Sequence, residues 1–216
     1  MSTPKPPSLT FAKLMHHLNN KNVYMILGNG SKNQFGDMRK VRPLLKRLVN
    51  TIDPKSSAFL YFGDPANKKS PDVGYLFELL HEFAPEIHIY MIQIEEAKDW
   101  GTPDFVSGVF WHKDYDPNDT NLKWGGVDPS TEKPVSNTKI WARVNRALPD
   151  DLEEVWILGG GEITMKEVGL LNAYKIHYKY FPVERKYLGD GKTRVPKDAD
   201  LKTKIGITYK MKPSNV

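Results

Sequence analysis

Cysteine is absent from all 216 residues, which removes disulfides and thiolate metal sites from consideration. No apolar run approaches the ~20 residues of a membrane-spanning helix. The opening "MSTPKPPSLT" has no apolar signal core and reads as a short disordered lead. An intracellular, cytoplasmic location with no membrane partner is therefore expected. The histidines are too poorly spaced for zinc, since His16 and His17 are adjacent on one helix and cannot face a single ion; no metal and no cofactor are expected. Nucleophile elbows, internal repeats and low-complexity tracts are also missing. Acidic residues are in a slight minority, 26 against 31 basic ones, for a net charge of +5 and a pI near 9.1. Such a balance suits either an anionic partner or a plainly solvated basic surface.

What is present is a regular alternation. "LTFAKLMHHLNN" spaces Leu9, Phe11, Leu14, Met15 and Leu18 for a short docking helix. "NVYMILG" is a continuous apolar run closed by glycine, which predicts a buried strand. Val41, Leu44, Leu45, Leu48, Val49 and Ile52 then form one helical stripe, with Pro43 expected in its first turn. "AFLYFGD" predicts a second strand, Val73 to Leu80 a second helix, and "IHIYMIQI" a third strand. Buried strands alternating with helices indicate crossover units on a parallel sheet. From about 96–138 the text is irregular and holds three of the tryptophans, with one strand candidate, "FVSGVFW". Regular pattern resumes with "KIWARVNRAL" as a helix, "EEVWIL" as a strand, "EITMKEVGLL" as a helix, and two alternating segments, "YKIHYKYFPV" and "KIGITYKM". The expected fold is a three-layer α/β Rossmann-like domain with a mainly parallel sheet and Gly-rich loops at the strand C-terminal ends. The lead and docking helix occupy 1–20, and a single domain spans 21–216 with the irregular insertion at about 96–138.

Three strand ends carry glycine: "ILGNGSKN", "YFGDPANKKSPDVG" and "ILGGGEIT". In an open parallel sheet ligands bind at these ends, where unpaired backbone N–H groups and helix dipoles favour an anion. The candidate ligand-holding residues are Gly28, Gly30 and Ser31 in the first loop, Gly63 and Asp64 in the second, and Gly159, Gly160, Gly161 and Thr164 in the third. Neither a Walker motif nor a strict dinucleotide fingerprint occurs. Asp64 suits ribose hydroxyls, and equally a turn before proline. Thr164 and Glu167, three residues apart, share a helix face. They suit phosphate donation and acid or base work, and equally plain helix capping; spacing leaves both open.

These residues carry a resemblance. "GGGEITMKE" is similar to the PGGxGTxxE loop of the Rossmann-like superfamily that includes the cytokinin-activating phosphoribohydrolases, matching at Gly160, Gly161, Thr164 and Glu167. It departs at Gly159, where the family has proline, and at Ile163, where it has glycine. Upstream, "KIWARVNRAL" places Arg143 where the family carries an arginine helix. The resemblance implies a nucleotide or nucleotide-sugar ligand held by the first and third loops. Arg143 and Glu167 would flank an N-glycosidic bond to be hydrolysed, in a homodimer, the common state of those relatives. A non-catalytic sensor of a nucleotide-derived ligand is the alternative that the Ile163 departure raises. A second resemblance, "VWILGGG" with the later "GDGKTRVP", is to dihydrofolate reductase and implies an NADPH-dependent enzyme. Nucleic-acid binding has its own candidate strand, with Tyr174, Ile176, Tyr178 and Tyr180 on one face and Lys175, His177 and Lys179 on the other. Buried tyrosines under a lysine-guarded sheet edge account for the same pattern.

Overall fold

In the computed structural model, residues 5–29, 33–62, 73–112, 152–160, 164, 167–169, 171, 176–183, 185–187 and 193–194 are described. Chain order begins with β1 (Ser8–Leu9), α1 (Phe11–Leu18), β2 (Asn22–Gly28), β3 (Asn33–Phe35), α2 (Met38–Val49) and β4 (Ser57–Tyr61). It continues with α3 (Val73–Phe83), β5 (His88–Ile94), a 3₁₀ turn at Glu95–Trp100, β6 (Gly108–His112) and β7 (Leu152–Leu158). Last come β8 (Tyr178–Phe181), β9 (Arg185–Tyr187) and β10 (Thr193–Arg194). Between β7 and β8, Thr164, residues 167–169 and Leu171 are helical.

Seven strands form one all-parallel sheet in the order β1-β6-β5-β4-β2-β7-β8. The continuous apolar runs have their explanation here, because helices cover both faces and every side chain of a central strand is buried. Tyr24, Ile26, Phe59, Tyr61, Ile89 and Trp156 face α2 and α3. Val23, Met25, Leu27, Leu60, Ile92 and Ile157 face α1, Val168 and Leu171. The expected three-layer α/β architecture is thus present. A second, three-stranded antiparallel sheet, β10-β9-β3, had no signature in the sequence.

Two expectations are corrected. The second helix starts at Met38, N-capped by the Asp37 side chain on Arg39 N–H, so Pro43 is its sixth residue and lies beyond the first turn. Proline offers no N–H to the carbonyl one turn back, a loss offset by the buried stripe of Val41, Leu45, Leu48 and Val49. The N-terminal segment also does more than dock a helix: Ser8 and Leu9 join the sheet edge beside Val109 and Phe110. The "KIWARVNRAL" helix, the "KIGITYKM" strand and the irregular stretch beyond His112 lie outside the described residues. Among the described residues no helix is long and apolar enough to cross a membrane.

Candidate functional site

From β2 the chain moves outward through β4, β5 and β6, then returns to place β7 on the other side of β2. The strand order reverses between β2 and β7. In open α/β sheets the connections on either side of such a point leave in opposite directions and open a crevice at the carboxyl ends of the strands. Gly28 ends β2 and Leu158 ends β7 in register with it. The first and third glycine loops therefore meet at the switch point.

Here glycine is required by distance and by angle. A Cβ on Gly28 would stand 2.6 Å from the Leu158 carbonyl oxygen, a backbone atom that cannot step aside. Gly160 has φ +117°, and a Cβ there would lie 2.6 Å from Thr164 Cγ2. L side chains rarely adopt that backbone conformation. Thr164, on helical backbone, thus lies directly against Gly160.

Hydrogen bonds lock the two loops together. Thr164 Oγ1 donates to the Gly28 carbonyl at 3.0 Å. Gly160 N–H donates to Asn29 Oδ1 at 2.9 Å in a buried setting. The Asn29 carbonyl accepts from Val73 N–H, the first residue of α3, at 2.7 Å. Gly159 N–H donates to the Phe181 carbonyl of β8 at 2.9 Å. One asparagine, 0% exposed, thus joins the end of β2, the start of α3 and the turn after β7.

Buried polar side chains are concentrated at this end of the sheet. The described ones are Asn29, Ser57, Gln93, Thr164 and Glu167, and all but Ser57 sit at the carboxyl ends of strands or on the turn-to-helix segment after β7. Buried polar groups cost free energy unless satisfied, and Asn29 and Thr164 meet that need by binding the glycine turns. Glu167 is only 8% exposed, which makes it a carboxylate held inside the protein. Gln93, near the end of β5, stands three strand spacings, about 14 Å, from β7.

Of the residues predicted from sequence, Gly28, Gly159, Gly160 and Thr164 are brought together at the switch point, and Glu167 is buried on the helical backbone that follows. Arg143, Gly30, Ser31, Gly63, Asp64 and Gly161 lie outside the described residues. Asn29 and Gln93 escaped the sequence reading although each carried a signal. Asn29 lies between two glycines directly after an apolar strand, and Gln93 is a lone amide inside "YMIQI". On β5, burial pushes the Tyr90 phenol up, and burial, then Lys21 and His17, push the His88 imidazole down. Both residues belong to the amino-terminal half of β5, away from the glycine turns. No cluster of three or more His, Asp or Glu suited to a metal occurs among the described residues.

A scan against protein-family models and a search of curated proteins both return no match for this chain, so its own geometry carries the reading of the site.

Asn29→Ala is expected to cost about 1–3 kcal/mol, because it leaves the buried Gly160 N–H without its acceptor. Asn29→Asp keeps the Oδ1 acceptor but buries a charge at a 0% exposed position and gives up the amide donors, so it should cost more. Urea denaturation of the two variants checks the order; equal stability of Asn29→Ala and the parent would remove the asparagine from its linking role.

Proposed function

We propose that the crevice between β2 and β7 binds a nucleotide and that the chain hydrolyses the N-glycosidic bond of a nucleoside phosphate. The observation that carries this reading is the buried carboxylate of Glu167, on helical backbone that follows the Gly159–Gly160 turn at the switch point. The start of α3 meets the end of β2 through Val73 N–H and the Asn29 carbonyl, and a helix N-terminus there favours a phosphate. The match of Gly160, Gly161, Thr164 and Glu167 to the PGGxGTxxE loop supports the choice of reaction.

In that reaction water adds to the anomeric carbon as the bond to the base nitrogen breaks, giving free base and ribose 5-phosphate. Positive charge develops on the sugar, and a carboxylate beside it lowers the barrier while accepting the proton of the attacking water. Glu167 takes that role. Arg143 is assigned by resemblance to the phosphate or the departing base. Thr164 acts differently from the sequence expectation: its hydroxyl proton is committed to Gly28 O, so it fixes the loops and has lone pairs left to accept from a sugar hydroxyl.

Binding without turnover is the second reading. It is favoured by the commitment of both the Thr164 hydroxyl and the Gly160 N–H to protein acceptors and by Ile163 in the family's glycine position. Incubation with nucleoside monophosphates and chromatography of the products separates the two. Release of free base with ribose 5-phosphate is the expected result. A bound but intact nucleotide would leave the sensor reading, and oxidation of NADPH with dihydrofolate would replace both.

A further inference from the structure

The basic residues look scattered in sequence, but α2 collects five of them. Within Met38–Val49 stand Arg39, Lys40, Arg42, Lys46 and Arg47, with no acidic residue. Wound at 100° per residue, these five and Pro43 fill a continuous arc of roughly 160°, and all six are exposed. The opposite arc holds Val41, Leu45, Leu48 and Val49, all buried in the core. The entire solvent face of the helix is therefore cationic.

Neighbouring groups hold part of this face in place. Asp37 pairs with Arg39 at 3.0 Å, leaving the Arg39 side chain 92% exposed. Glu82 of α3 pairs with Arg42. The Phe83 ring lies beneath the Arg42 guanidinium at 5.1 Å and the Lys46 ammonium at 5.9 Å. Arg39 and Arg42 are thus held by carboxylates of the described residues, while Lys46 and Arg47 stand exposed beside them. The competing basic strand, β8, is weaker on both counts: Lys179 is paired with Glu154 at 3.0 Å, and Ile176, Tyr178 and Tyr180 pack on the core.

We infer that the solvent face of α2 is a docking surface for the phosphate backbone of double-stranded nucleic acid, read without regard to sequence. Arg39 to Arg47 extends about 12 Å along the helix, enough for about three phosphates of one strand. A single strand would need exposed aromatic rings for its bases, and the one aromatic ring at this face is covered by Arg42 and Lys46. A membrane surface would need an apolar face to insert, and that of α2 is spent on the core. The surface is independent of the nucleotide site, and neither proposal depends on the other.

The test is fluorescence anisotropy of a labelled 20-base-pair duplex of arbitrary sequence with the full chain. With about three phosphates neutralised, log K should fall against log salt with a slope near −2.7, about 40-fold between 50 and 200 mM. The double variant Lys46→Glu/Arg47→Glu should weaken binding at least tenfold and bring the slope to about −0.9. The milder Lys46→Gln/Arg47→Gln should weaken binding less while flattening the slope similarly. The melting temperature of each variant verifies folding. No duplex binding at 50 mM salt, an unchanged slope in both folded variants, or binding to phosphatidylserine vesicles in place of duplex would each overturn the inference.

Discussion

Trp156→Ala is expected to lower the free energy of unfolding by about 3–5 kcal/mol, the range for large aromatic truncations in a packed core. The indole is 1% exposed on β7, one strand in from the edge of the sheet. Its ring meets Tyr24 at 5.5 Å and Phe59 at 5.3 Å, so its removal opens a cavity across β2 and β4. Its Nε1–H also donates to Glu154 Oε2 at 2.7 Å. Trp156→Phe should recover most of the packing and leave a loss of about 0.5–1.5 kcal/mol for the one bond, since Lys179 still pairs with the Glu154 carboxylate. Urea denaturation measures both. A Trp156→Ala domain as stable as the parent would mean that β7 is not packed in the sheet as described. The switch point would fall with it, because β7 carries the glycine turn.

Glu167→Gln should reduce turnover of a nucleoside monophosphate by 10²–10⁴, the usual contribution of a positioned acid or base, while stabilisation by the ligand persists. Glutamine keeps the size and hydrogen-bonding capacity of glutamate but can neither accept a proton at neutral pH nor oppose a developing positive charge. The residue is 8% exposed, so solvent does little to screen that loss. The readout is the rate of free-base release at saturating substrate, beside the ligand-induced rise in melting temperature. Undiminished turnover would take Glu167 out of the reaction. Loss of the thermal rise together with turnover would make it a binding residue.

The interior of the sheet was legible from sequence because burial on both faces forces continuous apolar runs. "NVYMILG" became Asn22–Gly28 and "IHIYMIQI" became His88–Ile94 with almost no shift of boundary. Strands of two or three residues, such as Ser8–Leu9 and Asn33–Phe35, are too short to carry a period and owe their conformation to the neighbour they pair with. The order of strands was hidden too. Nothing local in "EEVWIL" says that it returns to the far side of β2, yet that return makes loops one and three a single site.

Within the site, glycines were legible because a tight approach deletes side chains, as at Gly28. The link through Asn29 was not, since it exists only when Gly160, 131 positions later, comes within 2.9 Å. The basic face of α2 was concealed by interleaving. In "MRKVRPLLKRLV" the cations alternate with apolar residues and separate only on winding.

One measurement bears most directly on the proposed nucleotide site: the melting temperature of the full chain against nucleoside mono-, di- and triphosphates, ADP-ribose, NAD and NADPH. A ligand at a hundred times its Kd stabilises the native state by about 2.7 kcal/mol, a rise on the order of 5–10 °C for a domain of this size. The expected result is such a rise with a nucleoside monophosphate. No rise with any of the compounds would contradict the site, and the glycines at the ends of β2 and β7 would then serve the backbone geometry of the switch point alone.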